Sequence, residues 1–314
     1  MTARGWAATS QADVVAAADD WLRSPALSAV AAALGGPAIN EVPADLPGFA
    51  HWAGSVLNTR RMSERHEAEH RDLPQPVVET LLHAAGELGL LSTTGPALRD
   101  YRMTVVLGGT TTGNRLRTQF ATDLERQGSS LGAVTVLSAH RPLTATELRD
   151  ATRRPDELTE WQNLLGIAAA AFRAEAGQSA SSLHRQARSR EGLDIALRRG
   201  GGRKLRLLVA PSDPAGRRAN TSESLAYLVG RVPADERRTL LLVTSAIYAP
   251  YQYFASAPLL LAANTGYLEL VGTPTSTNGD RQLLAQRIAQ EIYSAISAAL
   301  NLWPERGEAS SAPE

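Results

Sequence analysis

Glycine, hydroxyl and arginine side chains cluster directly after the first predicted strand. The segment reads Gly108-Gly109-Thr110-Thr111-Thr112-Gly113-Asn114-Arg115. Glycines let the backbone approach a ligand, and hydroxyls with the N–H groups of a helix start can hold an anion. The segment lacks G-x-G-x-x-G spacing and the Gly-Lys-Ser/Thr of a P-loop, so a plain βα turn is the alternative. The candidate ligand-binding residues here are Gly108, Gly109, Thr110, Thr111, Asn114 and Arg115, the last holding the charged part of the ligand.

Polar residues also follow the next three predicted strands. His140, after the second strand, could act as an acid or base near neutral pH, or belong to a polar turn. The segment Asn220-Thr221-Ser222-Glu223 follows the third strand and also suits an N-cap and first helical turn. Tyrosines after the fourth strand could stack on a flat ligand or pack between layers. The candidate catalytic residues are His140, Glu223 and Tyr248, and the further candidate binding residues are Ser138, Arg141, Asn220, Thr221, Thr244, Ser245 and Tyr251.

These residues can meet only if the strand ends converge. Short apolar runs alternate with amphipathic segments beyond residue 100, which indicates βαβ units and a mainly parallel sheet in a three-layer, Rossmann-like α/β sandwich. Ligands bind beyond the carboxyl ends of such strands. The predicted strands are Met103–Leu107, Ala133–Leu137, Leu205–Ala210, Thr239–Thr244 and Tyr267–Val271. The predicted helices are Arg115–Arg126, Glu160–Ala174, Ser222–Val229, Pro250–Leu261 and Asp280–Leu300, with another starting at the capping-box pair Thr144 and Glu147.

The first part of the chain has a different pattern. Apolar residues recur at helical spacing from residue 11 to about residue 92, and no strand-like run interrupts them. We therefore expect an all-helical N-terminal region over residues 1–98, which could cap the site, and an α/β ligand-binding domain over 99–303. Residues 304–314 are polar and rich in Pro and Ser, which predicts a disordered tail.

Composition excludes several functions. The formal net charge is +0, which gives no general attraction to nucleic acid or to an anionic membrane. Cysteine is absent from the sequence, so disulfides and cysteine nucleophiles are excluded, and Lys204 is the only lysine. The sequence shows no apolar run of signal-peptide or membrane-span length. We expect a cytoplasmic protein with a small-molecule ligand and neither nucleic acid nor membrane as partner, either as a monomer or as a homodimer.

One short motif competes with this interpretation. His66-Glu67-Ala68-Glu69-His70 matches H-E-x-x-H, in which two histidines bind zinc and the glutamate acts as base. The stretch is charged on all sides, and Pro74 ends the helix soon after it, so a solvated helix with i,i+4 charge pairs is the favoured interpretation. His83 and Glu87 are conceivable third ligands. We expect no bound metal.

Four of these motifs, in this order, resemble the YdcF/SanA/ElyC-like family over residues about 101–275. They are Leu107-Gly108-Gly109 with Arg115, Ser138-Ala139, Asn220-Thr221-Ser222-Glu223-Ser224, and Val243-Thr244-Ser245 running to Tyr251. The sequence departs from the family at Tyr248 and Tyr251, where the family has histidine and arginine, and at Ser224, where it has asparagine. The resemblance implies a Rossmann-like fold. It also implies S-adenosylmethionine as ligand, because some members are reported to bind it.

Three functional hypotheses follow. The first is an α/β enzyme of small-molecule metabolism, a transferase by preference, that binds a nucleotide-like ligand with S-adenosylmethionine as first choice. The second is a non-catalytic binding or regulatory protein on the same fold. The third is a zinc hydrolase that uses His66 and His70.

Overall fold

The computed structural model describes residues 5–37, 46–58, 72–150, 159–176, 191–212, 217 and 219–303. Within them the chain forms one eight-stranded sheet with helices on both faces, so the predicted three-layer α/β sandwich is confirmed. The strands are β1 (Trp6–Ala8), β2 (Met103–Val106), β3 (Ala133–Ala139), β4 (Glu175–Ala176), β5 (Leu193–Arg198), β6 (Lys204–Ala210), β7 (Thr239–Ser245) and β8 (Tyr267–Thr273). The helices are α1 (Gln11–Leu22), α2 (Pro25–Ala33), α3 (Leu46–Val56), α4 (Gln75–Glu87), α5 (Thr111–Arg126), α6 (Ala145–Asp150), α7 (Glu160–Ala171), α8 (Thr221–Arg231), α9 (Ala249–Ala262) and α10 (Arg281–Leu300).

The strand order across the sheet is β1-β8-β7-β2-β3-β6-β5-β4. The five central strands, from β8 to β6, are parallel. Antiparallel strands lie on both edges: β1 beside β8, with Trp6 opposite Leu270, and β5 and β4 beyond β6. The sheet is therefore mainly parallel in its centre and mixed at its margins.

Alternate side chains of the central strands enter two separate hydrophobic cores. On β2, Met103 and Val105 join a core that includes buried residues of the N-terminal helices, α8, α9 and α10. Val106 lies in the opposite core, where it meets buried side chains of α5 and α7. Because both faces are covered, the strands are apolar on both sides, which is the pattern that predicted them.

The five predicted parallel strands and the helices between them are all present, with shifted ends. The largest shift is at α5, which begins four residues before the predicted start at Arg115. The Thr110 hydroxyl caps the helix by accepting a hydrogen bond from the Gly113 backbone N–H at 3.3 Å. The predicted helix start at Thr144 and Glu147 is confirmed by their reciprocal hydrogen bonds.

The expectation of an all-helical N-terminal region is corrected by β1. The described residues between 11 and 92 form helices and no strand, as predicted, but Trp6–Ala8 pairs with the edge of the sheet. Three residues are too few to show a strand period in the sequence. Strand β5 was also missed, because its side chains alternate between buried and partly exposed positions on the margin of the sheet. None of the described helices has the length and apolar character needed to cross a bilayer.

Substitution of Trp21 on α1 tests whether the N-terminal helices and the sheet unfold as one unit. Its ring is fully buried, its Nε1 donates to the Leu88 carbonyl at 3.0 Å, and its centroid lies 5.8 Å from that of Phe254 on α9. Trp21→Ala should lower the free energy of unfolding by about 3–5 kcal/mol, the usual cost of truncating a buried aromatic ring. Urea denaturation followed by circular dichroism measures this cost.

The matched control is Leu116→Ala, because Leu116 is 52% exposed and its loss should change stability by less than about 0.5 kcal/mol. We expect one transition in every case, since one core includes residues from both sides of the predicted boundary at residue 98. Two separate transitions, or a Trp21→Ala cost as small as the control, would contradict this view.

Candidate functional site

The connection order of the parallel strands creates a switch point between β2 and β7. The chain runs from β2 outward to β3 and β6, then crosses to the other side of β2 to form β7 and β8. The loops after β2 and β7 therefore leave the sheet in opposite directions, the arrangement at which open parallel sheets bind their ligands. Val106 and Val243 are paired near this end of the two strands.

Gly108 and Gly109 follow β2 at this point and lie between two groups of opposite charge. A Cβ on Gly108 would be 2.4 Å from the Leu137 carbonyl oxygen and 3.0 Å from Glu160 Oε1. A Cβ on Gly109 would be 3.1 Å from Arg117 Nη1. The turn thus requires glycine at residue 108, and it separates a carboxylate from a guanidinium.

Arg117 on α5 joins the ends of β2 and β7. Its side chain is almost fully buried, and its Nη1 donates to the carbonyls of Leu107 and Gly108, both at 2.7 Å. Its Nε donates to the Ser245 hydroxyl at 3.0 Å, and its guanidinium lies 5.5 Å from the centre of the Tyr248 ring. Arg117 is therefore the fixed positive charge at the switch point.

The sequence prediction gave this role to Arg115 and missed Arg117. Arg115 is exposed on α5, whereas Thr111, Asn114, Arg117 and Thr118 are buried. Asn114 and Arg117 are three residues apart and therefore lie on the same face of α5, which is the buried face. A predicted helix start at Thr111 would have extended the helix over both residues. The N-cap at Thr110 was the available signal.

A buried ion cluster lies on the other side of the glycine turn. Arg141 binds both oxygens of Glu147, each at 2.6 Å, and donates from Nε to Glu160 Oε2 at 2.7 Å. The three side chains are 14%, 9% and 3% exposed, respectively. Burial alone would raise the pKa of the Glu147 carboxyl, but hydrogen bonds from Arg141 and Thr144 lower it to about 2. We call these three residues the Arg141 cluster.

Several groups that were predicted to bind a ligand are hydrogen-bonded to the Arg141 cluster or to Asn163 instead. The Thr111 backbone N–H donates to Glu147 Oε1 at 3.2 Å, and the Thr111 hydroxyl accepts from Asn163 Nδ2 at 2.9 Å. Ser138 donates to Glu160 Oε1 at 3.4 Å. Glu147 thus provides the negative charge at the start of α5 that a ligand anion was expected to provide.

Asn114 has one unsatisfied polar atom within this network. Its Nδ2 donates to the Gly109 carbonyl at 3.0 Å, which holds the amide against the glycine turn. Its Oδ1 is buried and has no hydrogen-bond partner in the described structure. A buried acceptor without a donor destabilises a fold, so this atom suits a donor group from a ligand.

His140 and Glu223, the two acid/base candidates, lie in different environments. His140 Nε2 is 2.8 Å from the Glu191 carbonyl oxygen. Because a carbonyl only accepts, Nε2 carries the proton and Nδ1 is the acceptor of the neutral ring. Burial lowers the pKa of His140. Glu223 is exposed, and a hydrogen bond from Arg217 Nη2 at 2.6 Å, followed by the Asn220 backbone N–H, lowers its pKa.

The other predicted residues at this edge have mainly local contacts. Asn220 caps α8 through the reciprocal capping box with Glu223, as the alternative interpretation held, and Thr221 is the first residue of α8. Thr244 is fully buried and donates to Gln252 Oε1. Tyr251 is partly buried and packs against the core. Ser245 and Tyr248, in contrast, contact Arg117 directly.

The zinc motif His66-Glu67-x-x-His70 lies outside the described residues. In the part of the chain that the structure describes, no group of three or more His, Cys, Asp or Glu side chains is arranged to hold a metal ion. His83 and Glu87 form an exposed pair on α4, with 3.6 Å between Nε2 and Oε1.

Comparisons give no relative for this arrangement. No protein-family model, no curated protein and no solved structure matches the chain. The site must therefore be judged from its own contacts.

Arg141→Met should lower the free energy of unfolding by about 3–5 kcal/mol at pH 7, because it leaves buried carboxylates without their cation. The depressed pKa of Glu147 stabilises the wild type above its ordinary value of 4.5, and this contribution is lost as the pH falls toward about 2. Without Arg141, burial raises the pKa of Glu147. The stability difference between wild type and variant should therefore narrow as the pH falls from 7 to 3.

Denaturation midpoints measured across this pH range test the Arg141 cluster. Arg23→Met is the control, since Arg23 and Asp19 form an exposed pair, with side chains 47% and 37% exposed, and its loss should cost less than about 1 kcal/mol. If Arg141→Met lowers the free energy of unfolding by the same amount at every pH, the cluster does not stabilise the ionised carboxylates.

His140 should titrate below the ordinary value of 6.5, because burial disfavours the charged ring. The unfolded chain then binds the proton more readily, so His140 contributes stability above pH 6.5 that is lost as the pH falls through its folded pKa. NMR titration of the imidazole, assigned with a His140→Gln variant, measures the value. A titration midpoint at or above pH 6.5 would show that burial does not disfavour the charged His140 ring.

Proposed function

We propose that this chain binds a nucleotide-like small molecule, with S-adenosylmethionine as first choice, at the switch point between β2 and β7. The observation that carries the proposal is the Gly108–Gly109 turn with Arg117 on one side and the Arg141 cluster on the other. A crevice at the switch point is the general ligand site of open parallel sheets.

The two charged groups suit the two ends of an amino acid. Arg117 is held by Ser245 and by two backbone carbonyls, so its position is fixed before any ligand arrives. A guanidinium binds a carboxylate well. The Arg141 cluster has two carboxylates and one guanidinium, so its net negative charge favours an ammonium group, and the unsatisfied Asn114 Oδ1 favours an N–H donor. A zwitterion fits this arrangement better than a plain nucleotide, whose phosphates would meet two carboxylates.

Tyr248 supplies a surface for the rest of the ligand. Its ring is partly buried beside the Arg117 guanidinium. An aromatic face stacks on an adenine ring and attracts a sulfonium cation. S-adenosylmethionine carries a carboxylate, an ammonium, a sulfonium and an adenine, which is why it is the first choice.

His140 is the stronger acid/base candidate. Its lowered pKa keeps the imidazole neutral at pH 7, with Nδ1 able to accept a proton. Glu223 is held as a carboxylate by Arg217 and by the start of α8, so it is poorly suited to give or take a proton near neutral pH. A transferase that uses His140 is the enzyme hypothesis; a binding protein without turnover is the alternative on the same site.

Membership of the YdcF/SanA/ElyC-like family remains part of the proposal. Its support is that the quoted motifs fall at the carboxyl ends of β2, β3 and β7 and at the start of α8, after β6. The replacement of the family's histidine by Tyr248 places an aromatic ring beside Arg117.

Arg117→Lys should weaken S-adenosylmethionine binding about tenfold or more, because an ammonium cannot reproduce the fork of donors that places the charge. Isothermal titration calorimetry measures the affinity, with Arg126→Lys in the last turn of the same helix as control. The thermal midpoint of each variant is recorded, so that a loss of fold is distinguished from a loss of binding.

Arg115→Lys distinguishes a ligand bound at Arg115, as the sequence predicts, from a ligand bound at Arg117. If Arg115→Lys costs more affinity than Arg117→Lys, the ligand lies on the outer face of α5 and the switch-point site is wrong. If neither S-adenosylmethionine nor a mononucleotide releases heat with the wild type, the ligand class is wrong. Binding without consumption of the ligand supports the non-catalytic alternative.

A further inference from the structure

A cavity lies at the amino edge of the sheet, at the opposite end of the parallel strands from the switch point. Its volume is about 320 Å³, a size in the range of small-molecule sites. It lies at the starts of three neighbouring strands, β2, β3 and β6, and beside the loop before β7. The lining residues are Arg102, Ser130, Gly132, Ala133, Arg203, Lys204, Asp235 and Glu236.

Gly132 sets the shape of this cavity. It has a φ of 57°, and a Cβ there would lie 2.1 Å from the Arg102 carbonyl oxygen. The turn before β3 can therefore pass close to the start of β2 only with glycine. This close approach brings Arg102 next to the residues before β3.

The cavity has cations that are weakly held. Within the part of the chain that the structure describes, the Arg102 side chain has no hydrogen-bond or ion-pair partner. The only lysine, Lys204, is paired with Glu236 at 3.2 Å, but the two side chains are 74% and 33% exposed. Exposed pairs of this kind contribute little stability, so Lys204 can turn toward another anion at small cost.

The hairpin between β5 and β6 carries Arg203 and Lys204, two of the three cations that line the cavity, and it has more hydrogen-bond donors than acceptors. It reads Arg198-Arg199-Gly200-Gly201-Gly202-Arg203-Lys204. Arg199 and Arg203 share one carboxylate, that of Glu125. The Nε and Nη1 of Arg199 are buried without a hydrogen-bond partner, while its guanidinium stacks on Phe172 at 4.6 Å. An anion bound at this edge would reduce the excess of positive charge.

The acidic residues restrict the size of the partner. Asp235 and Glu236 line the same cavity as the cations, and Glu125 lies between Arg199 and Arg203. A polymer of phosphates would meet these carboxylates along its length, whereas nucleic-acid surfaces present an uninterrupted basic stripe. A small anion that reaches only Arg102 and Lys204 avoids them.

We propose that the amino-edge cavity binds a small phosphate-bearing anion, with Arg102 and Lys204 as its charged contacts. The site is independent of the switch-point ligand, because the two sites lie at opposite ends of the parallel strands. Arg203 contributes to the positive field and stays paired with Glu125.

Inorganic pyrophosphate is the probe, titrated calorimetrically into the full chain at low salt. The double variant Arg102→Met with Lys204→Met should bind it at least tenfold more weakly, as expected from two lost charged contacts. Both side chains are exposed, so the fold should be kept, and an unchanged thermal midpoint checks this. The double variant Arg23→Met with Arg281→Met, on exposed pairs away from the amino edge, is the charge-matched control and should bind as the wild type does.

Two results would overturn the amino-edge site. One is the same pyrophosphate affinity in both double variants, which would place the anion elsewhere; the other is no binding by the wild type at millimolar concentration. S-adenosylmethionine titrated into the same variants keeps the two proposals distinct. If Arg117→Lys retains pyrophosphate binding, the amino-edge site stands whatever the fate of the switch-point ligand.

Discussion

The ion cluster of Arg141 with Glu147 and Glu160 is the interaction on which the carboxyl edge of the sheet depends. One guanidinium, located after β3, reaches a carboxylate on α6, a carboxylate on α7 and the Gly109 carbonyl after β2. Buried charges are tolerated only with good geometry and satisfied lone pairs, and Glu147 meets this condition through Thr144 and the start of α5. This network holds the glycine turn in place at the switch point, which the strand order creates.

The two ends of the parallel strands differ in how their charges are held. At the carboxyl edge, Arg117 and Arg141 are buried or nearly so, and backbone carbonyls or carboxylates fix their orientation. At the amino edge, Arg203 and Lys204 are exposed and their pairs are open to solvent. A rigid site costs little reorganisation when it binds, whereas an exposed one is more sensitive to salt. One sheet therefore presents two surfaces of different electrostatic character.

Most of the α/β part could be predicted from the sequence, because strands buried on both faces are short apolar runs between amphipathic helices. Strand β1 could not, since Trp6–Ala8 becomes a strand only through its pairing with β8. The candidate site residues were chosen because each follows a predicted strand, and their charged members were chosen from proximity in sequence. The capping box of Thr144 and Glu147 was visible, whereas the pairing of Glu147 with Arg141 depends on how the loop after β3 folds back. The predicted start of α5 lay four residues too late, and the residue singled out there, Arg115, is exposed, whereas Arg117 is buried.

The pairing of β1 with β8 also has a consequence for the order in which the protein is made. Trp6 faces Leu270, and the Tyr253 hydroxyl donates to the Ala7 carbonyl at 2.9 Å across 246 residues of sequence, so β1 pairs with elements that are synthesised long after it. Until then the exposed Trp6 ring and the open edge of the strand are available for wrong contacts. Contacts so distant in sequence form slowly. Strand β1 is therefore a segment that chaperones have reason to shield during synthesis.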